Sequence, residues 1–363
     1  MAAALVKRTY YGQPGRYEQS FDVYMPLPPP VGPLPLVILV VGSAWLGHTQ
    51  LIYRMTSWWN SSGPRTVAAA GAVCVCIRHR GALPPPPTGA GTVLALLGAT
   101  TLLAALLPPP FSTPAVAAAG WLLLLLLYIA LADGSATFSD MMDDVAAALA
   151  RIRKDKETLI PPNAAKALGY GLLSDAPAAL SGRVYLGGYS SGAHVAAALL
   201  LPRRASTLAL ARHGLPTDPT RLCDCVLYLS GVFGGSAPGW PAVLARLVFG
   251  PAGGTALPSP LLRAAETPQL PHVHIRCETE AFGLPVIEPV MQAMLSGTAY
   301  EEALRRACIP LRVHVVHSNH WNVLTSPGLS EALRAELHAL PPCKASIREK
   351  SGIAWQLRCL WGG

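Results

Sequence analysis

The chain has 363 residues, of which 51% are hydrophobic and only 13% charged, and its formal net charge is +8. This length suffices for a large core, whereas so few charged residues argue against a fully hydrated exterior and indicate membrane contact. The basic residues are scattered rather than interleaved with aromatic residues, which argues against nucleic-acid binding and favours attraction to anionic lipid.

The first part of the chain predicts the opening of a sheet. Residues 5–25 alternate between polar and apolar side chains, which is typical of an antiparallel pair of strands. The uninterrupted apolar runs 36–41 and 72–77 predict strands that are buried on both faces of a parallel sheet. A helix is predicted over 50–70, between these two strands.

Residues 84–135 differ sharply in composition from the rest of the chain. They contain two apolar runs without a charge, 92–107 and 115–132, separated by the residues PPPFSTP. A bilayer core about 30 Å thick takes roughly 20 helical residues, so the second run nearly suffices and the first is short. We predict a helical hairpin inserted into a membrane, either spanning it or re-entrant. A hairpin buried in the protein core is the alternative.

The charges around the predicted hairpin indicate its orientation. Arg78, His79 and Arg80 precede it, Asp133 and Asp140 follow it, and the N-terminal residues lack the apolar region of a signal peptide. The positive-inside rule then leaves both flanks, and with them the globular body, on the cytosolic side. We expect the membrane to be that of the endoplasmic reticulum or the Golgi.

Beyond the hairpin, strands and helices alternate along the chain. The predicted strands are 184–186, 225–230, 272–277 and 311–316. One predicted helix begins at 139, and three others cover 191–201, 292–304 and 330–340. This alternation predicts one α/β domain with a doubly wound, mostly parallel sheet. Its two parts are 1–83 and 136–342, with the membrane hairpin insert 84–135 between them and a tail over 343–363.

A serine stands at the junction between an apolar strand and an apolar helix, in Gly188-Tyr189-Ser190-Ser191-Gly192. In a G-x-S-x-G elbow the serine lies on a strained turn, and the flanking positions come too close to other backbone for side chains. Ser190 is therefore the predicted nucleophile, and the N–H of Ser191 is predicted to face a developing oxyanion. The alternative is a Gly/Ser turn that merely ends a strand.

The acid of such a site must be a glutamate in this chain. A nucleophilic serine needs a histidine base that a carboxylate orients, and in α/β hydrolases the chain order is Ser, acid, His. No aspartate follows Asp224, whereas Glu278 and Glu280 come directly after a predicted strand. Glu280 is the chosen acid and Glu278 the alternative. Glu288 and Glu301 fall on or near helices and are expected to be solvated surface charges.

The base is expected in the loop after the last predicted strand. His320 lies there and is the chosen base, with His317 as the alternative. His314 lies inside that strand and His338 on the closing helix, where structural roles are expected. His194, on the elbow helix, is expected to point away from the serine and to pack in the core.

A second oxyanion donor is predicted in the loop after strand 36–41. Gly42, Ser43 and Ala44 stand there, at the carboxyl end of a parallel strand, where α/β folds place their sites. Only backbone N–H groups are required, and glycine permits a close approach. None of the eight cysteines has the CxxC spacing of a zinc site, and we expect neither a metal nor an organic cofactor.

Together these motifs resemble the prenylcysteine methylesterase branch of the α/β-hydrolase superfamily. The matching stretches are YGQPGRYEQSFDVYMP (11–26), VGSAWLG (41–47), FSDMMDD (138–144), the elbow (183–201), 274–285 and 317–324. The resemblance implies the α/β-hydrolase fold and a membrane-associated serine esterase that demethylates C-terminal S-prenylcysteine methyl esters. It also implies Ser190 as nucleophile, Glu280 as acid, His320 as base, and Gly42 and Ser43 at the oxyanion loop.

Two departures from the family keep other functions open. The family has an aspartate where Glu280 stands, and a pair of glycines where this chain reads Val41-Gly42-Ser43. A catalytically inactive membrane scaffold is therefore one alternative. A lipid or xenobiotic carboxylesterase, or an arylformamidase-like hydrolase, would use the same three side chains with a different acyl pocket. For the esterase, the expected partners are a lipidated or other hydrophobic ester and the membrane.

Overall fold

In the described part of the chain, eight strands form a single sheet, on which the helices pack and from which the loops of the candidate site extend. A computed structural model describes residues 2–28, 34–43, 45, 47, 61–81, 136–160, 182–234, 260–280, 292, 295 and 297–338. The strands are β1 (Ala2–Tyr10), β2 (Ser20–Leu27), β3 (Leu36–Val40), β4 (Val73–Ile77), β5 (Val184–Tyr189), β6 (Cys225–Leu229), β7 (His272–Cys277) and β8 (Leu311–Val316). Their spatial order is β1-β2-β4-β3-β5-β6-β7-β8.

The sheet is mostly parallel, as the sequence predicts. β2 pairs antiparallel with β1 and with β4, and the other five pairings are parallel. β3, β4 and β6 are runs of five buried side chains, which is typical of parallel strands covered on both faces. The carboxyl ends of β3, β5, β6, β7 and β8 consequently meet at one edge of the sheet.

Helices cover both faces of this sheet. Among the described residues, the α-helices are α1 (61–69), α2 (Phe138–Lys154), α3 (Ser191–Leu200), α4 (Arg204–Arg212), α5 (Gly297–Arg306) and α6 (Pro327–His338). Side chains alternate along each strand, so Ile38 and Val40 pack in one hydrophobic cluster with α2 to α5. Val37 and Leu39 pack in a second cluster with α1 and α6. The sheet is therefore doubly wound.

Some charged side chains on or against the sheet are buried. Asp22 on β2 is fully buried and accepts hydrogen bonds from Arg8, at 2.7 and 2.9 Å, and from Arg78. Glu301 on α5 is only 2% exposed, and its Oε1 lies 3.0 Å from His274 Nδ1 on β7. The expectation that Glu301 is a solvated charge is therefore wrong, because α5 turns this side chain toward the sheet.

The predicted membrane hairpin (84–135) and the predicted tail (343–363) lie outside the described residues. The described residues that flank the insert, Gly81 and Ala136, are joined by a hydrogen bond from the Ala136 N–H to the Gly81 oxygen at 3.0 Å. An insert can therefore leave and re-enter the body at one place without changing the strand order. Within the described ranges, no helix has the length and hydropathy that crossing a bilayer requires.

Candidate active site

Ser190 lies on a strained turn between β5 and α3. Its backbone has φ 55° and ψ −127°, a combination that is costly for a residue with a side chain. Neighbouring backbone is very close: a Cβ on Gly192 would lie 2.2 Å from the last carbonyl oxygen of β3. A Cβ on Gly188 would lie 2.5 Å from backbone atoms of α3. These contacts explain why the motif has glycines at both positions.

The structure brings Ser190, His320 and Glu280 together. The Ser190 Oγ lies 2.9 Å from His320 Nε2, and His320 Nδ1 lies 3.3 Å from Glu280 Oε2. The side chains of His320 and Glu280 are only 8% and 12% exposed. Because a carboxylate only accepts, Nδ1 carries the hydrogen and donates it to Glu280. Nε2 is then an acceptor for the hydroxyl proton of Ser190.

The alternative acid and base pair with each other instead. Glu278 accepts a hydrogen bond from His317 Nδ1, and these side chains are 54% and 96% exposed. His314 on β8 lies 2.6 Å from a carboxylate oxygen of Glu336, which is a structural pairing. Neither Glu278 nor His317 therefore reaches the serine in this arrangement.

The strand order explains why residues far apart in the chain meet here. β5, β6, β7 and β8 are consecutive neighbours in the sheet, so the loops after β7 and β8 lie on the same edge as the elbow. These two loops are bonded to each other, since the His320 N–H donates to the Glu280 backbone oxygen at 3.2 Å. The loop backbone thus sets the distance between the acid and the base.

The predicted oxyanion loop lies against the elbow. A Cβ on Gly42 would lie 2.6 Å from the Tyr189 oxygen and 2.7 Å from the Ser190 Cβ, so only glycine fits there without displacement. The Ser43 N–H donates to the Ser191 Oγ at 2.9 Å and is therefore already engaged. The Ser191 N–H is in the first turn of α3, where a helix provides no acceptor of its own. Ala44 lies outside the described residues.

Tyr189 supports His320 and was not singled out from the sequence. Its hydroxyl donates to the His320 backbone oxygen at 2.6 Å, and its ring stacks on the imidazole with centroids 5.3 Å apart. Burial, with the nearby Cys277 and Glu280 adding to it, raises the pKa of Tyr189, so the hydroxyl remains a donor. The only sequence signal for this role was an aromatic residue at the variable position of the elbow, and that signal does not indicate which residue the side chain contacts.

The Ser191 side chain and the Trp45–His194 pair were missed as well. Trp45 is buried, and its indole N–H donates to His194 Nδ1 at 3.1 Å. The core position expected for His194 agrees with its complete burial. Among the residues that the structure describes, no three His, Cys, Asp or Glu side chains are grouped as a metal site would require.

Comparisons with solved structures identify the fold. An inhibited form of esterase B from Lactobacillus rhamnosis is similar over 99% of this chain and 90% of that chain, with 12% identity and a TM-score of 0.52. Its tributyrin phosphonate-inhibited form is similar over 98% of this chain and 87% of that chain, with 13% identity and a TM-score of 0.54. A bifunctional GH43-CE protein from Bacteroides eggerthii is similar over 91% of this chain and 35% of its own, with 14% identity and a TM-score of 0.52. No protein-family model and no curated protein matches the sequence. The chain therefore has the α/β-hydrolase fold, as predicted.

Proposed function

We propose that the chain is a carboxylic ester hydrolase that works through an acyl-enzyme on Ser190. The observation that carries this proposal is the hydrogen-bonded series from the Ser190 Oγ through the His320 imidazole to the Glu280 carboxylate, at 2.9 and 3.3 Å. Two of these three groups are almost fully buried, so the interaction between imidazole and carboxylate is weakly screened. This geometry activates a hydroxyl as a nucleophile.

The proposed reaction follows from the hydrogen-bond directions. The Ser190 Oγ attacks the ester carbonyl carbon while its proton moves to His320 Nε2, and Glu280 stabilises the resulting imidazolium. The C–O bond to the alcohol then breaks, and His320 returns the proton to the leaving alkoxide. A water molecule, deprotonated by the same imidazole, attacks the acyl-enzyme and releases the acid, which restores the Ser190 hydroxyl. The Ser191 N–H is a candidate donor to the oxyanion.

A glutamate serves as the acid in this proposal although the resembled family has an aspartate. The longer side chain still comes within 3.3 Å of His320 Nδ1 because its backbone is bonded to the neighbouring loop. Catalytic hydrogen bonds are often longer without substrate and shorten in the reacting complex. This departure therefore gives no reason to prefer an inactive scaffold.

As substrate we propose a membrane-resident hydrophobic ester, with S-prenylcysteine methyl esters as the first class to test. The motif resemblance supports this class, and the apolar composition of 84–135 supports membrane association. The flank of that insert also touches the candidate site, since a Cβ on Gly47 would lie 2.5 Å from Gly81 N. Gly47 in turn donates its N–H to the Ser43 Oγ at 3.1 Å. A membrane-bound insert would hold the oxyanion loop close to the bilayer surface.

Fluorophosphonate labelling of detergent-extracted full-length protein tests the reaction. Wild type is expected to be labelled at one serine, and Ser190→Ala is expected to abolish labelling. Ser318→Ala is the matched control, because it removes a hydroxyl from the same edge of the sheet and the described contact of that hydroxyl is with a neighbouring backbone oxygen. Folded wild type that resists labelling would overturn the esterase proposal and favour a scaffold.

A substrate panel tests the finer proposal. A farnesylcysteine methyl ester in vesicles, a short-chain water-soluble ester and an aryl formamide are compared by kcat/KM. The prenylated ester should be preferred by at least about tenfold, which is the low end of the discrimination expected from one methylene in a hydrophobic pocket. Preference for the short-chain ester would indicate a general carboxylesterase, and preference for the formamide an arylformamidase-like enzyme.

A further inference from the structure

The loop after β3 is held in place by side chains of α3. Trp45, in this loop, has φ 60°, a left-handed conformation that a bulky side chain disfavours. Such a conformation persists only where surrounding contacts determine it. Two of those contacts come from α3, at Ser191 and three residues later at His194, which a helix places on neighbouring turns of one face.

Ser191 provides the first of these contacts through its side chain. Its hydroxyl oxygen accepts the Ser43 N–H at 2.9 Å and the Trp45 N–H at 3.3 Å. Ser191 is only 1% exposed, so water does not readily replace it as an acceptor. Loss of this hydroxyl would leave two backbone N–H groups of the loop without their acceptor, which the loop would relieve by moving.

His194 provides the second contact. Its Nδ1 accepts the Trp45 indole N–H at 3.1 Å, and because an indole nitrogen only donates, that Nδ1 carries no hydrogen. The two rings meet edge to face with centroids 5.6 Å apart, and His194 also packs on Phe138 with ring centroids 4.8 Å apart. The imidazole is completely buried. The Trp45 side chain is therefore fixed at both its polar and its apolar atoms.

We propose that Ser191 and His194 are positioning residues for the esterase reaction, which hold Gly42, Ser43 and Trp45 of the loop after β3 against the elbow that bears Ser190. This inference rests on the proposed function. It also assigns the Ser43 N–H to anchoring the loop, since Ser191 already accepts it. Displacement of oxyanion donors by a fraction of an ångström lowers the rate of acylation more than it weakens substrate binding.

Kinetics on a soluble p-nitrophenyl ester test the proposal. Ser191→Ala and His194→Leu should each lower kcat by about 10- to 100-fold and change KM by less than about threefold. His194→Asn should restore much of kcat, because the Asn Oδ1 can take the place of Nδ1 as acceptor. As a single substitution, Trp45→Phe should lower kcat. In the double variant with His194→Leu it should lower kcat little further, since both substitutions remove the same hydrogen bond.

Controls separate positioning from a general loss of structure. His272→Leu removes another buried histidine, at the amino end of β7 and away from the site, and should lower the melting temperature without lowering kcat. Fluorophosphonate should still label Ser190 in His194→Leu, at a reduced rate. Folded Ser191→Ala and His194→Leu with wild-type kcat would overturn this inference alone. If these variants do not fold, Trp45→Phe is used instead, and a folded Trp45→Phe protein with wild-type kcat would overturn the inference. An inactive wild type would overturn the proposed function and this inference with it.

Discussion

The Tyr189 hydroxyl donates a hydrogen bond to the backbone oxygen of His320 at 2.6 Å, while its ring stacks on the imidazole. The residue directly before the candidate nucleophile therefore holds the candidate base from two sides. Because Tyr189 and Ser190 are adjacent on one strained turn, any shift of the elbow shifts both groups that face the imidazole. This contact makes the serine-to-histidine distance a property of the elbow itself.

Tyr189→Phe should lower activity modestly. It keeps the stacked ring and removes the hydrogen bond to His320, which contributes about 1 kcal/mol. We expect kcat to fall by up to about tenfold, since 1.4 kcal/mol corresponds to a factor of ten. Tyr185→Phe is the control on the same strand: its hydroxyl bonds the Glu336 backbone oxygen at 3.3 Å, so it should affect stability and not kcat. Equal kcat values for the two variants would contradict the role of Tyr189.

Two neighbouring glutamates provide a matched test of the acid. Glu280→Gln should lower kcat by about 10²- to 10⁴-fold, because an amide neither selects the required tautomer of His320 nor stabilises its charged form. Glu278→Gln should leave kcat within about threefold, since its described partner is the exposed His317. Steady-state kinetics and fluorophosphonate labelling rates measure both. A larger loss in Glu278→Gln would make Glu278 the acid.

Glu301→Ala should destabilise the protein by about 1–3 kcal/mol, because it removes the carboxylate that lies beside the buried His274 imidazole and the Arg276 guanidinium. Glu302→Ala, at the next and exposed position, should change the free energy of unfolding by about 0.5 kcal/mol or less. Urea unfolding of both variants measures the difference. Similar values would mean that Glu301 is solvated in solution.

The buried Asp22 predicts a pH dependence of stability. Burial alone would raise its pKa, but hydrogen bonds and positive charge from Arg8 and Arg78 outweigh burial and lower the pKa of Asp22. A carboxyl group with a lowered pKa in the folded state stabilises the protein above its unfolded pKa of about 3.9, and this contribution is lost as the pH falls through the folded pKa. Wild-type stability should therefore decrease below about pH 4.

Asp22→Asn should remove that part of the acid dependence and cost about 3–5 kcal/mol near neutral pH, because two cations then lie beside a neutral amide. Asp143→Asn is the control, since Asp143 pairs with Arg212 at the surface at 2.6 Å and should cost about 1 kcal/mol or less. Denaturant midpoints measured from about pH 3 to pH 7 compare the three proteins. An Asp22→Asn variant that retains the full acid dependence would contradict the assignment.

Local features of the sequence were enough to predict the elbow and the strands. Gly188 is required by a contact within one strand–turn–helix unit, since a Cβ there would lie 2.5 Å from backbone atoms of α3. The strand at 272–277 was predicted with the bounds it has in the structure. Such features are readable because side-chain alternation and close backbone contacts depend mainly on near neighbours.

The choice between nearby residues of the same type depended on the tertiary structure. Glu278 and Glu280 are both in or next to one loop, and chain order alone allowed either to be the acid. The backbone hydrogen bond between Glu280 and His320 decides which carboxylate is turned toward the serine. Similarly, the sequence placed Glu301 on or near a helix, but which face of α5 meets β7 depends on packing between distant segments.

The sequence by itself determined the α/β fold, the nucleophile candidate and a short set of acids and bases. Only the tertiary structure decided which of them meet, and it added the support of His320 by Tyr189 and of Trp45 by His194. The physical reason is the sequence separation of the interacting residues. Backbone sterics and side-chain alternation act over a few residues, whereas these hydrogen bonds join residues more than a hundred positions apart. Such partners become neighbours only when the sheet is assembled.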